Sequence, residues 1–281
     1  MTTRRLQGRR VLVTGASRGI GAATAVRFAA EGAHVAIVAR TLDRHDHLRG
    51  SLEATAGRVR EQGGTAAVIV ADMSDAADRT RIVPAAIEAL DGPVEVLVNN
   101  AAAAIYGPVD TFPLGRRRVT FEVNVHGPLD LAQAVLPAML ERGEGWIINV
   151  SSATARATTT NPTMSVYGAS KAALNRLTDG LAAEVAGAGV RVNTIEPRAA
   201  VMTEGAAVLV GDMISEDQIE STEAMVEAIL ALADCKAELT GRHLVSLDLI
   251  GELGLTVHAL DGTPLTAGAS NQDASNRGSA R

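Results

Sequence analysis

The sequence of 281 residues predicts an α/β protein, with helices on both faces of one doubly wound parallel sheet in three α/β/α layers. Three observations lead to this prediction. Short runs rich in β-branched residues alternate with longer alanine-rich stretches, as in repeated β-α-β units with right-handed crossovers. Those runs are continuously apolar, which is typical of strands buried on both faces. A glycine cluster directly follows the first run, where a strand turns into a helix.

The apolar runs predict a series of strands along the chain. They begin at Arg10, Ala33, Ala66, Val94, Trp146, Val190 and His243, and the last of them is the stretch "HLVSLDL". The helical segments between them include Ile20–Glu31, Ala77–Leu90 and Ser165–Val185. No linker divides these elements, so residues 1–265 are expected to form one domain. The small, polar residues 266–281 are expected to form a disordered tail.

Composition and charge narrow the classes of function. A formal net charge of −6 provides no general basic field for nucleic acid. No apolar run reaches the ~18 residues that cross a bilayer, and the first residues lack the apolar segment of a signal peptide. We therefore expect a cytoplasmic protein without membrane or nucleic-acid partners, and the single cysteine, Cys235, fits a reducing compartment. His45 and His47 have no further ligands beside them, so no metal site is predicted.

The stretch "TGASRGIG", Thr14–Gly21, joins the first strand to the first helix. Glycines in this position let the backbone bend sharply and bring helix-start N–H groups close to a pyrophosphate. The pattern favours dinucleotide binding over glycines that only form a turn. The predicted cofactor contacts in this loop are Gly15, Ser17, Arg18, Gly19, Ile20 and Gly21.

The ends of the second and third strands bear on the choice of dinucleotide. An acidic residue after the second strand would bind the ribose hydroxyls and repel a 2′-phosphate, but this chain has Arg40 there. A guanidinium suits bidentate contact with phosphate, and Arg18 is a second cation nearby. NADP is therefore preferred, with NAD as the alternative. Asp72, followed by Met73, is placed to accept from the adenine amino group, although a helix cap is an alternative role for Asp72.

Tyr167 and Lys171, in "YGASK", share a helix face because side chains four residues apart are neighbours. A phenol with a pKa near 10 is a poor base at neutral pH. A lysine ammonium one turn away and a positive nicotinamide are expected to favour the phenolate. Tyr167 would then give a proton to a carbonyl oxygen or take one from an alcohol. Lys171 is also expected to hold the nicotinamide ribose hydroxyls.

The combined pattern resembles the short-chain dehydrogenase/reductase family, whose fold is of the Rossmann type, over Arg9–Asp248. The motifs that carry the resemblance are, in order, "TGASRGIG", "NNAA" from Asn99, "NVHG" from Asn124, "INVSS" ending at Ser152, and "YGASK". The resemblance implies an NAD(P)-dependent oxidoreductase in which Asn124, Ser152, Tyr167 and Lys171 are catalytic.

The resemblance also implies a role for each residue of these motifs. Ser152 would hydrogen-bond the substrate oxygen, with Ser151 as the rival assignment. Asn124 would hold a water that links Lys171 to solvent as a proton relay. Asn99 would lie beside the cofactor ribose, and Asn100 would tie adjacent strands together. Members of the family form dimers or tetramers through the helices that flank the sheet.

The chain departs from the family pattern at several points. Ala102 replaces the usual glycine, and the interval Ser152–Tyr167 is about two residues longer than usual. Arg198 stands where the family has a glycine after the sixth strand. The threonine near the nicotinamide amide is displaced, with Thr203 as the candidate, and Ala200 is expected to contribute main-chain contacts.

Three hypotheses follow for the function. The first is an NADP-dependent carbonyl reductase or alcohol dehydrogenase, and the second is an NAD-dependent catabolic dehydrogenase of the same fold. The third is a dinucleotide-binding regulator without catalysis, which the intact catalytic set argues against. Residues 198–221 and 153–166, the expected specificity regions, are mostly small and apolar, which favours an apolar small-molecule alcohol or ketone.

Overall fold

A computed structural model of the chain describes residues 4–43, 49–156, 162–198, 200–203 and 219–265. Its strands are β1 Arg10–Thr14, β2 His34–Ala39, β3 Ala66–Val70, β4 Val96–Asn99, β5 Gly145–Val150, β6 Val190–Glu196, β7 Ala200–Val201, β8 Ile219–Glu220 and β9 His243–Val245. Its α-helices are α1 Gly19–Ala30, α2 Leu52–Glu61, α3 Ala76–Ala89, α4 Leu114–Phe121, α5 Gly127–Arg142, α6 Ser165–Glu184, α7 Thr222–Ala233 and α8 Ser246–Leu253. A π-helical turn, Glu122–His126, joins α4 to α5, and a 3₁₀ turn covers Ala153–Ala155.

Seven of these strands form one parallel sheet in the order β3-β2-β1-β4-β5-β6-β9. Val11 of β1 pairs with Val35 of β2 on one side and with Val96 of β4 on the other. The chain therefore winds outward in both directions from β1, which confirms the predicted doubly wound sheet. In such sheets a crevice opens at the carboxyl ends of the strands where the winding reverses, here between β1 and β4.

The core consists of two apolar clusters, one on each face of the sheet. Val11 and Val13 of β1 belong to the cluster that contains residues of α1 and α7. Leu12, between them, belongs to the opposite cluster, with residues of α3 and α5. Because successive side chains of a strand point to opposite faces, helices must cover both sides of the sheet. The three-layer arrangement predicted from the sequence is therefore confirmed.

The last predicted strand is wrong in its second half. β9 ends at Val245, and α8 begins at Ser246. The stretch "SLDL" alternates polar and apolar residues like a strand, but the buried Ser246 hydroxyl donates to both carboxylate oxygens of Glu220, at 2.7 and 2.8 Å. Leu249, three residues later, is buried on the same side of the helix. This tertiary contact and the glycine that ends α8, Gly254 with φ +61°, favour a helix.

Two of the sequence-based predictions fall outside the described part of the chain. They concern the tail, residues 266–281, and the loop histidines His45 and His47. Among the helices described above, none is both long enough and apolar enough to cross a bilayer.

The turn before β6 offers a matched test of backbone packing. Gly187 and Gly189 both have positive φ, but a Cβ would meet nothing within 4 Å at Gly187, whereas at Gly189 it would overlap the carbonyl oxygen of Gly143. Alanine in the left-handed region costs about 1 kcal/mol. We expect Gly187→Ala to lower the free energy of unfolding by about this amount. Gly189→Ala should lower it by about 3 kcal/mol, because the backbone must also move. Denaturant titrations measure both, and equal losses would contradict the prediction.

Candidate active site

The glycines of the first loop are placed where side chains would not fit. A Cβ on Gly15, which has φ +66°, would lie 2.9 Å from the Asn100 side-chain nitrogen, and one on Gly21 would overlap the same amide. A Cβ on Gly19, at φ +56°, would lie 3.1 Å from Thr203. The loop is therefore enclosed by the residues after β4 on one side and by Thr203 on the other.

Asn100 holds this loop in position. Its side-chain amide donates to the carbonyl oxygens of Thr14 and Gly15, at 2.9 and 3.3 Å, and its own N–H donates to the Thr14 hydroxyl at 3.0 Å. Within the described residues, no side chain caps the amino end of α1, and its first turn holds no acidic residue. Helix-start N–H groups in this arrangement attract anions, so the loop fits the pyrophosphate of a dinucleotide.

Arg18, Arg40 and Asp72 lie at the carboxyl edge of β2 and β3. The Arg18 guanidinium donates to the carbonyl oxygen of Gly50 at 3.1 Å, which holds it beside the segment after β2. Arg40 is 73% exposed and lies 3.6 Å from a carboxylate oxygen of Asp72. Burial alone would raise the pKa of Asp72, but hydrogen bonds from Ser74 and the charge of Arg40 outweigh it and lower that pKa. Exposed ion pairs contribute about 0–1 kcal/mol, so a phosphate could displace this one.

The structure also bears on the other residues predicted to contact the adenine and the pyrophosphate. Asp75, not Asp72, caps α3 by accepting from the N–H of Ala77 at 2.7 Å. The Met73 side chain lies in the core below α5 with 6% exposure, so only its main chain could meet an adenine ring. Ser17 is buried in the loop, and Ile20 packs partly against the core cluster of α1.

Tyr167 and Lys171 lie together on the face of α6 that packs against the sheet. The side chains are 8% and 2% exposed, and the Lys171 amine lies 5.9 Å from the centre of the Tyr167 ring. That amine donates to the carbonyl oxygen of Val150, the last residue of β5, at 2.8 Å. The Tyr167 hydroxyl faces Ser152, two residues beyond Val150, and the Ser152 side chain acts to lower the pKa of Tyr167. Three of the four predicted catalytic side chains therefore meet at the carboxyl end of β5.

Ser152 and its neighbour Ser151 have different surroundings in the structure. The Ser151 hydroxyl donates to the side chain of Asn175 at 2.6 Å and is buried. Ser152 faces Tyr167 and also accepts from the Thr154 hydroxyl at 3.0 Å. Gly168, in "YGASK", allows this approach, because a Cβ there would lie only 2.7 Å from the carbonyl oxygen of Thr154.

The predicted phenolate depends on a positive nicotinamide as well as on Lys171, and in the protein alone burial opposes it. Burial raises the pKa of Tyr167 well above its ordinary value, and Tyr106 raises it further, while the hydrogen bond with Ser152 opposes both. Burial also lowers the pKa of Lys171 to about 8. Desolvation penalises both charged forms, and the lysine ammonium is itself disfavoured, so it does not offset the burial of the phenol.

Asn124 lies in the π-helical turn, and its side chain is fully buried. It donates to the Ser170 hydroxyl at 3.0 Å and accepts from the N–H of Ala103 at 2.8 Å. Ser170 in turn donates to the carbonyl oxygen of Tyr167 at 2.6 Å. Asn124 thus joins the segment after β4 to α6 through Ser170. Its hydrogen bonds within the described residues do not include one to Lys171. The water relay stays a prediction.

Asn99 belongs to a polar network inside the sheet. Its side-chain amide donates to Asn149 of β5 at 2.8 Å, and Asn149 donates to Thr178 of α6 at 2.8 Å. Within the described residues, the Asn99 side-chain oxygen is buried without a hydrogen-bond partner. An orphaned acceptor of this kind fits a hydroxyl donor, so the ribose contact stays a prediction that this atom supports.

The substrate side of the site is described only in part, because residues 157–161, 199 and 204–218 lie outside the described ranges. Ala200, in β7, is buried, and the N–H of Thr203 donates to the carbonyl oxygen of Val201 at 2.9 Å. Arg198 is exposed and forms an ion pair with Asp248 at the surface.

A cavity of about 490 Å³ borders the outer side of the glycine loop. Its lining includes Ser17, Gly19 and Thr203 but neither Tyr167 nor Lys171. The cavity therefore lies beside the predicted pyrophosphate position and not at the site of chemistry.

Sequence reasoning missed two features near Ser152 and Tyr167. Arg156 forms an ion pair with the buried Glu196 at the end of β6 and fastens the segment after Ser152. Tyr106 packs edge-to-face on Tyr167, with ring centres 5.5 Å apart. The only available signal for the second contact was that the chain contains just two tyrosines.

The depressed pKa of Lys171 can be measured directly, because the chain contains only two lysines, Lys171 and the exposed Lys236. We expect one labelled lysine signal in NMR spectra to titrate at about pH 8. The variant Lys236→Arg removes the signal of Lys236, so the signal that remains belongs to Lys171. A titration near the ordinary 10.5 would contradict the prediction.

The same shift should appear in stability. The folded pKa of about 8 lies below the unfolded value near 10.5, so the unfolded chain binds more protons between these values. The contribution of Lys171 to the free energy of unfolding should therefore increase with pH through this window. Lys171→Met should remove that increase in denaturant titrations.

Comparisons with known proteins agree with this geometry. A family model described as short chain dehydrogenase matches residues 9–228. A short chain dehydrogenase of Pseudocercospora fijiensis is 39% identical over 194 residues, 68% of this chain and 60% of that protein. L-xylulose reductase of Mesocricetus auratus is 33% identical over 252 residues, 86% of this chain and 96% of that protein.

A solved structure with bound cofactor is also similar. The crystal structure of 3-oxoacyl (acyl-carrier-protein) reductase from Agrobacterium tumefaciens C58, with NADP bound, has a TM-score of 0.76 and 30% identity, covering 87% of this chain and 95% of its own. The present chain spans less than two thirds of the length of the P. fijiensis protein and of several other relatives. The family match nevertheless includes the glycine loop, Ser152, Tyr167 and Lys171, and the chain belongs to the short chain dehydrogenase family.

Proposed function

We propose that the protein is an NADP-dependent oxidoreductase that interconverts a small-molecule carbonyl compound and the corresponding secondary alcohol, with Tyr167 as general acid and base. The observation that carries the proposal is that the Ser152 side chain, the Tyr167 phenol and the Lys171 amine meet at the end of β5. The bound nicotinamide would supply or accept the hydride.

The charge states of the protein alone favour reduction as the first direction to test. Because the pKa of Tyr167 is raised, the phenol keeps its proton at neutral pH and can donate it to a carbonyl oxygen. The Ser152 hydroxyl would hold that oxygen and then stabilise the phenolate. Lys171, with its pKa lowered to about 8, can give a proton back near neutral pH. Tyr167 and Lys171 are both buried, and their burial excludes bulk water from these proton transfers.

The preference for NADP rests on two arginines at the carboxyl edge of β2. Arg18 is held beside the segment after β2, and Arg40 is mostly exposed and forms a weak ion pair with Asp72. Together they provide two cations where a 2′-phosphate would lie. The ion pair with Asp72 is also the observation that favours the second candidate, an NAD-dependent catabolic dehydrogenase, because it partly neutralises Arg40. A regulator without catalysis would not need Ser152 beside the buried Tyr167 and Lys171.

We also infer that residues 1–265 act as one domain of a cytoplasmic protein, which works as a homodimer or homotetramer. The faces of 111–141 and 165–185 are the candidates for subunit contacts. Leu114, Val119 and Leu140 are exposed apolar side chains on α4 and α5, at 50%, 38% and 44%, which suits this use.

Replacing Tyr167 by Phe should separate catalysis from binding. A screen of aldehydes, ketones and alcohols with NADPH, NADH and their oxidised forms first identifies a substrate. Tyr167→Phe should then lower kcat by about 100- to 10,000-fold, the range expected for a general acid. The Kd for NADPH from calorimetry should change by less than about twofold, because the phenyl ring preserves the packing.

The paired serines provide the matched control for this experiment. Ser152→Ala should also lower kcat strongly, whereas Ser151→Ala should leave kcat close to the wild-type value, because Ser151 is bonded to Asn175. Loss of NADPH binding in Tyr167→Phe, or unchanged turnover, would contradict the proposed role.

The choice of cofactor can be tested at Arg40. In the wild type we expect NADPH to bind more tightly than NADH. Arg40→Ala should weaken NADPH binding about tenfold, since a charge-assisted contact to phosphate is lost, and should leave NADH binding within about twofold. Arg60→Ala, on the exposed last turn of α2, is the control and should change neither Kd. Equal or tighter binding of NADH by the wild type would favour the NAD-dependent alternative.

A further inference from the structure

Tyr106, which the proposed mechanism does not use, touches the catalytic tyrosine. It lies in the segment between β4 and α4, and its ring meets that of Tyr167 at a centre-to-centre distance of 5.5 Å and an angle of 74°. This is the preferred edge-to-face geometry of aromatic pairs. The chain has only these two tyrosines, and the fold brings both to one point.

The segment that carries Tyr106 is fixed at both ends. On one side, the N–H of Ala103 donates to the Asn124 side chain at 2.8 Å. On the other, the N–H of Gly107 donates to the carbonyl oxygen of Thr163 at 2.9 Å, two residues before α6 begins. The Phe112 ring also packs close to Gly107. Tyr106 is therefore held against the start of the catalytic helix by hydrogen bonds that flank it.

Thr163 adopts an unfavourable backbone conformation to make this contact. Its φ is +69°, and Asp91 is the other non-glycine residue with positive φ among the described residues. A β-branched residue rarely enters the left-handed region and persists there only when the surrounding structure demands it. Thr163 lies in the longer interval between Ser152 and Tyr167, so this departure from the family pattern coincides with the anchoring of Tyr106.

We propose that Tyr106 is a positioning residue, whose ring holds the Tyr167 ring edge-on and keeps the Tyr167 hydroxyl directed at Ser152. The proposal rests on the proposed function, in which Tyr167 transfers the proton. The Tyr106 ring restricts rotation of a side chain that is attached to the first turn of α6. The ring of Tyr106 makes this contact with the ring of Tyr167. The Tyr106 hydroxyl has a separate, electrostatic effect on the pKa of Tyr167.

That electrostatic effect gives a second, independent readout. Burial raises the pKa of Tyr106, and negative charge on one phenol opposes ionisation of the other, which contributes to the raised pKa of Tyr167. Replacing Tyr106 by Phe keeps the ring and removes the hydroxyl. Tyr167 should then ionise at lower pH, with its ring still in place.

The first experiment follows the tyrosine rings themselves by NMR of ring-labelled protein without substrate. The wild type should show two tyrosine ring signals with cross-relaxation between them, and Tyr106→Phe assigns the signal of Tyr167. In Tyr106→Phe this signal should stay near its wild-type position at neutral pH and titrate at lower pH. In Tyr106→Leu it should shift and broaden, because the ring loses its support. Absence of cross-relaxation, or an unchanged Tyr167 signal in Tyr106→Leu, would overturn the proposal.

The second experiment measures turnover. Tyr106→Leu should lower kcat about tenfold or more, since small displacements of a catalytic group are costly. Its Kd for NADPH should stay within about twofold of the wild type, and Tyr106→Phe should recover kcat to within about threefold. Equal losses in both variants would assign the effect to the hydroxyl and overturn positioning by the ring. If the wild type turns over no substrate in the screen, the proposed function fails, while the ring signals still decide whether Tyr106 positions Tyr167.

Discussion

The hydrogen bond from the Lys171 amine to the carbonyl oxygen of Val150 determines the geometry of the site. It joins the first turns of α6 to the last residue of β5 and leaves the buried amine beside the Tyr167 ring. Ser152 follows Val150 by two residues, so the same bond sets the serine hydroxyl opposite the phenol. The glycine in "YGASK" then allows the turn after Ser152 to lie directly on α6. The site is thus built on regular elements and not on a free loop.

Much of this could be predicted from local sequence patterns, and the failures share a physical cause. Strand runs, the glycine loop and the Tyr167–Lys171 spacing are local, and each was placed correctly to within a few residues. The end of β9 was not, because Ser246 is drawn into a helix by Glu220, which is distant in the sequence. The contact of Tyr106 with Tyr167 likewise depends on a hydrogen bond between the segments after β4 and before α6. No periodicity in a single sequence records such pairings.

Burial as well as neighbouring charge acts on the pKa of Tyr167. A lysine four residues away suggested an acidic phenol, since opposite charges favour the charged form. The sequence does not report burial, and both side chains are almost fully enclosed. Desolvation acts on the amine as well as on the phenol, so the pair holds a proton on Tyr167 and loosens one on Lys171. A phenol that keeps its proton and an ammonium with a lowered pKa suit a proton transfer better than a fixed ion pair would.

The polar face of α6 connects this electrostatics to the stability of the fold. Tyr167, Ser170 and Lys171 occupy one side of the helix, and Thr178 continues it two turns later. In an ordinary α/β protein that side of the helix would be apolar. Here its polar side chains form hydrogen bonds with Asn124, Asn149 and the end of β5. Buried polar groups are tolerated only when paired, and paired networks rigidify the elements that they join. The same bonds therefore hold α6 to the sheet and fix the directions of the reacting groups.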